Sequence, residues 1–128
     1  DVAGSGGTSW TEVEYHRAPN AHHANVARAF ADWGIPTADA IRYAREAAPD
    51  LPVIASGGLR DGVEIAKCIA LGADLGAMAG PFLKAAAQSV EAVSQTIWEL
   101  QTELRIAMFA SGAADIPALK RTPLYPAE

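Results

Sequence analysis

The sequence lacks the features of a disulfide-linked, membrane-spanning or nucleic-acid-binding protein. Its 128 residues include one cysteine, Cys68, so no disulfide can form within the chain, and no metal-ligand spacing surrounds that residue. This cysteine usage is typical of a reducing cytoplasm. No apolar run approaches the length of a membrane span, and no signal peptide opens the sequence. The formal net charge of −5 gives no basic surface for nucleic acid. We therefore expect a cytoplasmic protein that binds neither nucleic acid nor membrane.

The composition is that of a globular α/β domain. Half of the residues are hydrophobic and 20% are charged, and the length suffices for one core, so we assign residues 1–128 to one domain. Asp1 to Ala3 has the pattern of a strand end without its beginning. We therefore expect the domain to be incomplete at its N-terminus and the chain to be a fragment of a longer protein.

Alternating apolar and amphipathic segments predict strands that alternate with helices. We expect strands over residues 1–3, 51–55 and 73–79, and helices over 22–33, 37–48, 61–71, 82–87 and 89–110. Residues 10–21 and the segment after Gly112 are predicted to be irregular. This order favours a parallel sheet. Three strands are too few to close a barrel, and an open doubly wound sheet uses more, so the count favours the last three units of a (β/α)8 barrel.

The run Ser56-Gly57-Gly58-Leu59-Arg60 is the strongest local signal. It follows the apolar segment 51–55 and precedes a predicted helix. Glycines let the backbone approach a phosphate closely, and the amides before a helix point at negative charge. The amides of Gly58 to Arg60 and the Arg60 side chain could therefore bind phosphate. The alternative is a tight turn without a ligand.

Two further loops could complete the same site. Ala79 and Gly80 end the next predicted strand, and the glycine-rich loop of residues 4–9 offers the hydroxyl of Thr8. Each of these features also occurs in ordinary turns. Other polar and aromatic residues have simpler explanations: we expect His16, His22 and His23 on the surface, Glu12 and Glu14 as solvated loop charges, and Trp33, Trp98 and Phe109 in the core.

Several motifs in order resemble one family of flavoenzymes. They are Asp-Val-Ala-Gly-Ser-Gly-Gly-Thr-Ser-Trp at 1–10, Asp-Trp-Gly-Ile-Pro-Thr-Ala at 32–38, Ala-Ser-Gly-Gly-Leu-Arg-Asp-Gly at 55–62 and Ala-Leu-Gly-Ala-Asp at 70–74. With them the chain resembles the C-terminal part of the type 2, FMN-dependent isopentenyl-diphosphate delta-isomerases. The Ser-Gly-Gly loop alone is shared with many FMN-binding barrels.

The resemblance implies a TIM (β/α)8 barrel of the FMN-linked type, of which this chain is about the last three βα units. It implies an isomerase of isoprenoid biosynthesis that interconverts isopentenyl and dimethylallyl diphosphate with reduced FMN as acid and base, NADPH as reductant and Mg²⁺. The family assembles as homo-oligomers, tetramers or octamers. The cofactor-binding residues implied here are Thr8 on the flavin and, at the phosphate, Gly57, Gly58, Leu59, Arg60, Ala79 and Gly80. The catalytic residues and the ligands of substrate and metal would lie upstream of Asp1, which leaves no metal ligand in this chain.

Two alternatives remain at this stage. One is an FMN-dependent oxidoreductase of the hydroxyacid oxidase type, although those enzymes carry an arginine in their final Gly-Arg pair, where this chain has Gly80. The other is an inactive fragment. Because the rest of the site would lie outside this chain, we expect residues 1–128 alone to bind flavin weakly or not at all and to have no isomerase activity.

Overall fold

A computed structural model describes residues 1–125 of the chain. Helices dominate it, and its strands are short. The elements in chain order are α1 (Trp10–Arg17), α2 (Ala21–Arg28), α3 (Thr37–Ala47), β1 (Ile54–Ala55), α4 (Gly62–Ala70), β2 (Leu75–Gly76), α5 (Gly80–Ala86), α6 (Val90–Ala110) and α7 (Ile116–Leu119).

The predicted parallel pairing of the sheet is confirmed. Strand β1 pairs with β2 in parallel, with Ile54 opposite Leu75. The carbonyls of residues 53 and 55 accept from the β2 side, at 2.8 Å from the Asp74 amide and 2.7 Å from that of Ala77. The carbonyls of residues 54 and 56 point the other way and accept from Val2 and Gly4, at 3.0 and 2.9 Å. Residues 1–4 therefore run alongside β1 in the same direction, but Ala3 at φ +43° interrupts the extended backbone, so the predicted strand over residues 1–3 is not formed.

The strands are shorter than the sequence predicts. The predicted strand 51–55 is reduced to Ile54–Ala55, and 73–79 to Leu75–Gly76. Pro52 has no N–H to donate to a ladder, and Leu51 is 61% exposed rather than buried. Apolar composition identified the right segments, but the length of the ladder depends on the backbone partners.

Two clusters of buried side chains flank α4. The first lies between α3, α4 and the sheet and contains Ile41, Val53, Ala55, Leu59, Cys68 and Ala73. The second joins α4 to α6 and α7 and contains Ala66, Ile69, Ala113 and Leu119. Gly62 lets α4 approach α6, because a Cβ there would lie 2.6 Å from the Cβ of Glu103 and equally close to the backbone of α6.

The ends of the longer helices follow the sequence. Asp61 caps α4 by accepting from the amide of Glu64, and Gly72, at φ +114°, follows its end. Ser89 caps α6 in the same way, and Gly112, at φ +72°, follows its end. The predictions of helices at 61–71 and 89–110 are confirmed within a residue or two.

The prediction of a loop over residues 10–21 is wrong. Most of that segment is α1, which Ser9 caps through the amide of Glu12. Helix α1 buries no residue, so no apolar stripe signals it. It packs on α2, where the Arg28 guanidinium lies 4.6 Å from the centre of the Tyr15 ring and donates to its hydroxyl at 2.9 Å. Helix α2 is itself shorter than the predicted 22–33, since turns replace the helix after Arg28.

The prediction of an irregular tail is also wrong in part. The short helix α7 forms there, with Asp115 accepting from the amide of Ala118. Pro117 lies in its first turn, where a missing N–H costs nothing. Pro126, another residue of that predicted tail, lies outside the described residues.

The aromatic residues predicted for the core are on the surface. Trp33 is 80% exposed, Trp98 60% and Phe109 88%, so that prediction is wrong. The three histidines are exposed, as predicted. Within residues 1–125, none of the helices has the length and apolar character needed to cross a membrane.

Candidate functional site

The predicted phosphate loop packs backbone to backbone against the first glycine loop. Gly57 and Gly58 have φ values of +109° and +86°, which other residues rarely adopt. A Cβ on Gly57 would overlap the carbonyl oxygen of Gly4, and one on Gly58 would overlap that of Gly6. The two glycine-rich segments, which the sequence suggests as parts of one site, are therefore in direct contact.

The first turn of α3 fixes these loops. The hydroxyl of Thr37 donates to the carbonyl of Gly57 at 2.6 Å. The amide of Ser5 donates to the carbonyl of Ile35 at 2.7 Å, and Ser5 forms a parallel bridge with Pro36. Sequence analysis assigned Thr37 to a helix without a role at the site. A hydroxyl residue directly after a proline at a helix start is the signal that could have identified it.

A cleft of about 700 Å³ lies beside the loops, between α3 and α4. Four of the predicted site residues line it, namely Gly57, Gly58, Leu59 and Arg60. Arg42 and Lys67 add positive charge from the two helices, and Glu64 adds a carboxylate from α4. The cleft thus combines backbone amides with cationic side chains, the donor set that an anion needs.

The other three predicted site residues do not line this cleft. Thr8 is exposed and directly precedes Ser9, the cap of α1. Ala79 caps α5, which begins at Gly80, and a Cβ on Gly80 would meet no atom within 4 Å. Both residues follow β2, at the sheet edge where the Gly57–Gly58 loop follows β1.

Three backbone amides of the loop have no hydrogen-bond acceptor within residues 1–125. Within residues 1–125, the amides of Gly57, Gly58 and Leu59 donate no hydrogen bond. The next amide, that of Arg60, donates to a carboxylate oxygen of Glu64 at 2.7 Å. Leu59 is 6% exposed and anchors the loop in the first core cluster. The Arg60 amide is therefore already partnered by a protein carboxylate, whereas the three amides before it are not.

Arg60 and Glu64 also form an ion pair. The Arg60 guanidinium donates to Glu64 at 2.6 Å, and this bond lowers the pKa of the Glu64 carboxyl and raises the pKa of Arg60. Arg60 is 79% exposed at its side chain, against 25% for Glu64. Cys68 lines the same cleft, and burial raises the pKa of its thiol, so it stays uncharged. Glu64, like Thr37, is a residue of this site that the sequence did not identify.

A second polar group lies at the same edge of the sheet. The carboxylate of Asp1 accepts from the hydroxyl of Ser56 and, at 2.8 Å, from the amide of Ala3. This contact ties the start of the chain to the residue that precedes Gly57. In the part of the chain that the structure describes, no group of three or more His, Cys, Asp or Glu side chains could hold a metal ion.

Known proteins resemble the chain over nearly its whole length. An isopentenyl-diphosphate delta-isomerase of Xanthobacter autotrophicus is 57% identical over 97% of this chain and 36% of its own. Enzymes of the same name from Stutzerimonas stutzeri and a Nostoc species are 54% and 50% identical, over 97% and 95% of this chain. The chain therefore spans about 36% of the length of the curated relatives it matches.

The family comparison covers the Gly57–Gly58 loop and the two parallel strands. A family profile described as FMN-dependent dehydrogenase matches residues 24–126, which include α3, β1, α4 and β2. Because this match covers far more than half of the sequence, the chain belongs to the FMN-dependent dehydrogenase family.

Proposed function

We propose that this chain is the FMN phosphate-binding segment of an isopentenyl-diphosphate delta-isomerase. The names of the curated relatives support the reaction, and the family supports the cofactor. The single observation that carries the assignment to this segment is the loop of Gly57, Gly58 and Leu59, whose amides have no partner within residues 1–125 and which ends at Arg60.

The residues of this chain bind and orient the cofactor. The amides of Gly57, Gly58 and Leu59, with the amide and guanidinium of Arg60, hold the phosphate of FMN. Ala79 and Gly80 close the phosphate site from the end of β2, and Thr8 contacts the flavin from the first glycine loop. Reduced FMN supplies the acid and base chemistry when it is bound. The catalytic residues and the ligands of Mg²⁺ belong to a part of the protein outside this chain.

The same proposal extends to the architecture. Residues 1–4, β1 and β2 run in parallel, so their carboxyl ends meet at one edge, where (β/α)8 barrels carry their active sites. Leu75 on β2 is 61% exposed, which fits a strand that a further barrel strand would cover. We therefore propose the last βα units of a TIM barrel, in a cytoplasmic homo-oligomer of isoprenoid biosynthesis that uses NADPH.

An FMN-dependent oxidoreductase of the hydroxyacid oxidase type is the weaker candidate. The family description alone would allow it. The curated relatives at 50–57% identity all carry the isomerase name, however, and they match 95–97% of the chain. The isomerase is the function that both comparisons support together.

A segment exchange tests the proposed function. In the Xanthobacter autotrophicus relative, the matching segment is replaced by residues 1–128 of this chain, since the two are 57% identical. We expect the chimera to bind FMN and to interconvert isopentenyl and dimethylallyl diphosphate in the presence of NADPH and Mg²⁺. The unmodified relative is the positive control, and the same chimera with Arg60→Ala should lose FMN affinity.

The result that contradicts the proposal is a chimera that folds, as judged by circular dichroism, and binds FMN but does not isomerise. Oxidation of a 2-hydroxy acid by that chimera would support the oxidoreductase instead. A folded chimera without bound FMN would refute the cofactor assignment itself.

A further inference from the structure

One carboxylate accepts from the backbone amide and from the guanidinium of the arginine at the end of the phosphate loop. Oε2 of Glu64 accepts from the Arg60 amide at 2.7 Å, and Oε1 accepts from the Arg60 guanidinium at 2.6 Å. An amide and a guanidinium from one residue are the pair that a phosphate oxygen would use. The carboxylate therefore stands where the anion of the proposed function would bind.

The position of Glu64 departs from an ordinary helix cap. Asp61 caps α4, so Glu64 is the third helical residue, and its amide bonds to Asp61 at 2.8 Å. In a capping box, a glutamate at this position returns its carboxylate to the amide of the cap residue. Here the carboxylate instead reaches the amide of Arg60, one residue earlier and inside the phosphate loop. Helix capping alone does not account for that choice of partner.

Cationic side chains share the cleft with this carboxylate. Glu64 lines the same cleft as Arg60, Arg42 and Lys67, and its side chain is 25% exposed. Arg42 is occupied separately, at 3.3 Å from Asp39 on its own helix. A phosphate ester that reached Arg60 would meet the carboxylate as a like charge, so Glu64 must move away before the ester can bind.

We propose that Glu64 is an internal occupant of the anion site, which a phosphate ester must displace and which thereby sets the affinity and selectivity of the loop for phosphate. This inference rests on the proposed function, in which that ester is the phosphate of FMN. Glu64 is a specificity-determining residue in this account and takes no part in the chemistry.

The test compares the protein with Glu64→Gln, which keeps the shape of the side chain and removes its charge. Binding of inorganic phosphate, and separately of FMN, is followed through the amide resonances of Gly58 and Arg60. Loss of the competing charge should raise the affinity for phosphate about three- to tenfold at low ionic strength. The matched control is Asp39→Asn, which removes one carboxylate charge beside Arg42 and leaves Arg60 paired, and it should raise the affinity much less.

A second measurement needs no variant. In the unmodified protein, phosphate that shifts the amide resonance of Arg60 must also shift the carboxylate carbon resonance of Glu64. The reason is that phosphate replaces the Glu64 carboxylate as the partner of Arg60. Phosphate binding at Arg60 without a change at Glu64 overturns the inference. So does an affinity in Glu64→Gln that is equal to or lower than that of the unmodified protein, an equal gain in Asp39→Asn, or no phosphate binding by any of the proteins.

The two probes separate this inference from the proposed function. A gain for inorganic phosphate in Glu64→Gln, together with a folded segment-exchange chimera that binds no FMN, supports the internal occupant and contradicts the FMN site. Binding of FMN by the unmodified protein without a gain in Glu64→Gln supports the FMN site and overturns the internal occupant.

Discussion

At the scale of single residues, the candidate site depends on glycines, because a side chain at these positions would push the two loops apart. Gly57 and Gly58 have positive φ values, and each lies against a carbonyl of the loop that contains Gly4 and Gly6. Gly6 and Gly7 are equally confined, because a Cβ on either would lie 2.7 or 2.8 Å from the backbone of the opposite loop. The contact between the loops requires glycine on both sides.

Gly58→Ala tests this requirement. The new methyl group would overlap the Gly6 carbonyl at a φ of +86°. We expect the free energy of unfolding to fall by about 3 kcal/mol, from backbone strain and overpacking together. Urea denaturation followed by circular dichroism measures the change.

Gly80→Ala is the matched control for that substitution. A Cβ on Gly80 meets no atom within 4 Å, and the residue opens α5. The free energy of unfolding of the Gly80→Ala variant should stay within about 1 kcal/mol of that of the unmodified protein. Equal losses in the two variants would contradict the close packing of the loops.

The sequence predicts phosphate binding by the loop of Gly57 to Arg60, which stays a prediction, but it does not predict all of the contacts that these residues make. Two glycines after an apolar segment are a local signal, so Gly57 to Arg60 can be identified without a structure. Thr37 is 20 positions away from the carbonyl that it binds. Glu64 is near in sequence, but its position predicts an ordinary cap, and only the structure shows which amide its carboxylate reaches.

At the scale of elements, Asp74 connects three parts of the fold. Its carboxylate accepts from Arg45 of α3 at 2.8 Å, from the amide of Val53 before β1 at 2.7 Å, and from Lys120 after α7. Lys120 is the largest of the causes that hold the pKa of Asp74 well below its usual range, followed by the amide of Val53. This cluster lies at the amino ends of the strands, opposite the candidate site, so we expect it to contribute to stability.

Asp74→Asn should change how stability depends on pH. Because the pKa of Asp74 is lower in the folded state, its contribution is complete above about pH 4, the usual value for aspartate, and is lost as the pH falls below it. Near pH 7 we expect the variant to be less stable by about 1–2 kcal/mol, since the carboxylate is 32% exposed and solvent weakens its ion pairs. Towards pH 2 the difference between the two proteins should shrink.

Urea denaturation between pH 7 and pH 2 provides the measurement. Asp39→Asn, which removes the more exposed pair with Arg42, serves as the control and should leave most of the pH dependence intact. If the unmodified protein and Asp74→Asn differ by the same amount across the pH range, the role of the Asp74 carboxylate is refuted.

The sequence predicts elements best where ends carry caps and one face is apolar. Helices α4 and α6 have Asp61 and Ser89 before them and a glycine after them, and both were predicted. Helix α1 was missed because it buries no residue, so its sequence shows no periodic apolar face. The predicted strands were too long because composition does not reveal which backbone groups find hydrogen-bond partners.

At the scale of the whole molecule, many large apolar side chains are exposed. Trp98 and Phe109 lie on the outer side of α6 at 60% and 88% exposure, and Leu75 lies on β2 at 61%. Sequence patterns identify such residues as apolar but do not reveal what covers them. Their exposure accords with our proposal that this chain forms part of a larger barrel, and with a low affinity of residues 1–128 for flavin.

The central claim is that the loop from Gly57 to Arg60 holds the phosphate of FMN. Titration of residues 1–128 with FMN and with riboflavin, followed through the amide resonances of the chain, tests it most directly because the two flavins differ only in the phosphate. We predict that FMN shifts the amides of Gly57, Gly58, Leu59 and Arg60 with weak, saturable binding, and that riboflavin binds at least about tenfold more weakly, since it lacks the charge-assisted hydrogen bonds. Equal binding of riboflavin, or FMN shifts that leave this loop unaffected, would contradict the account.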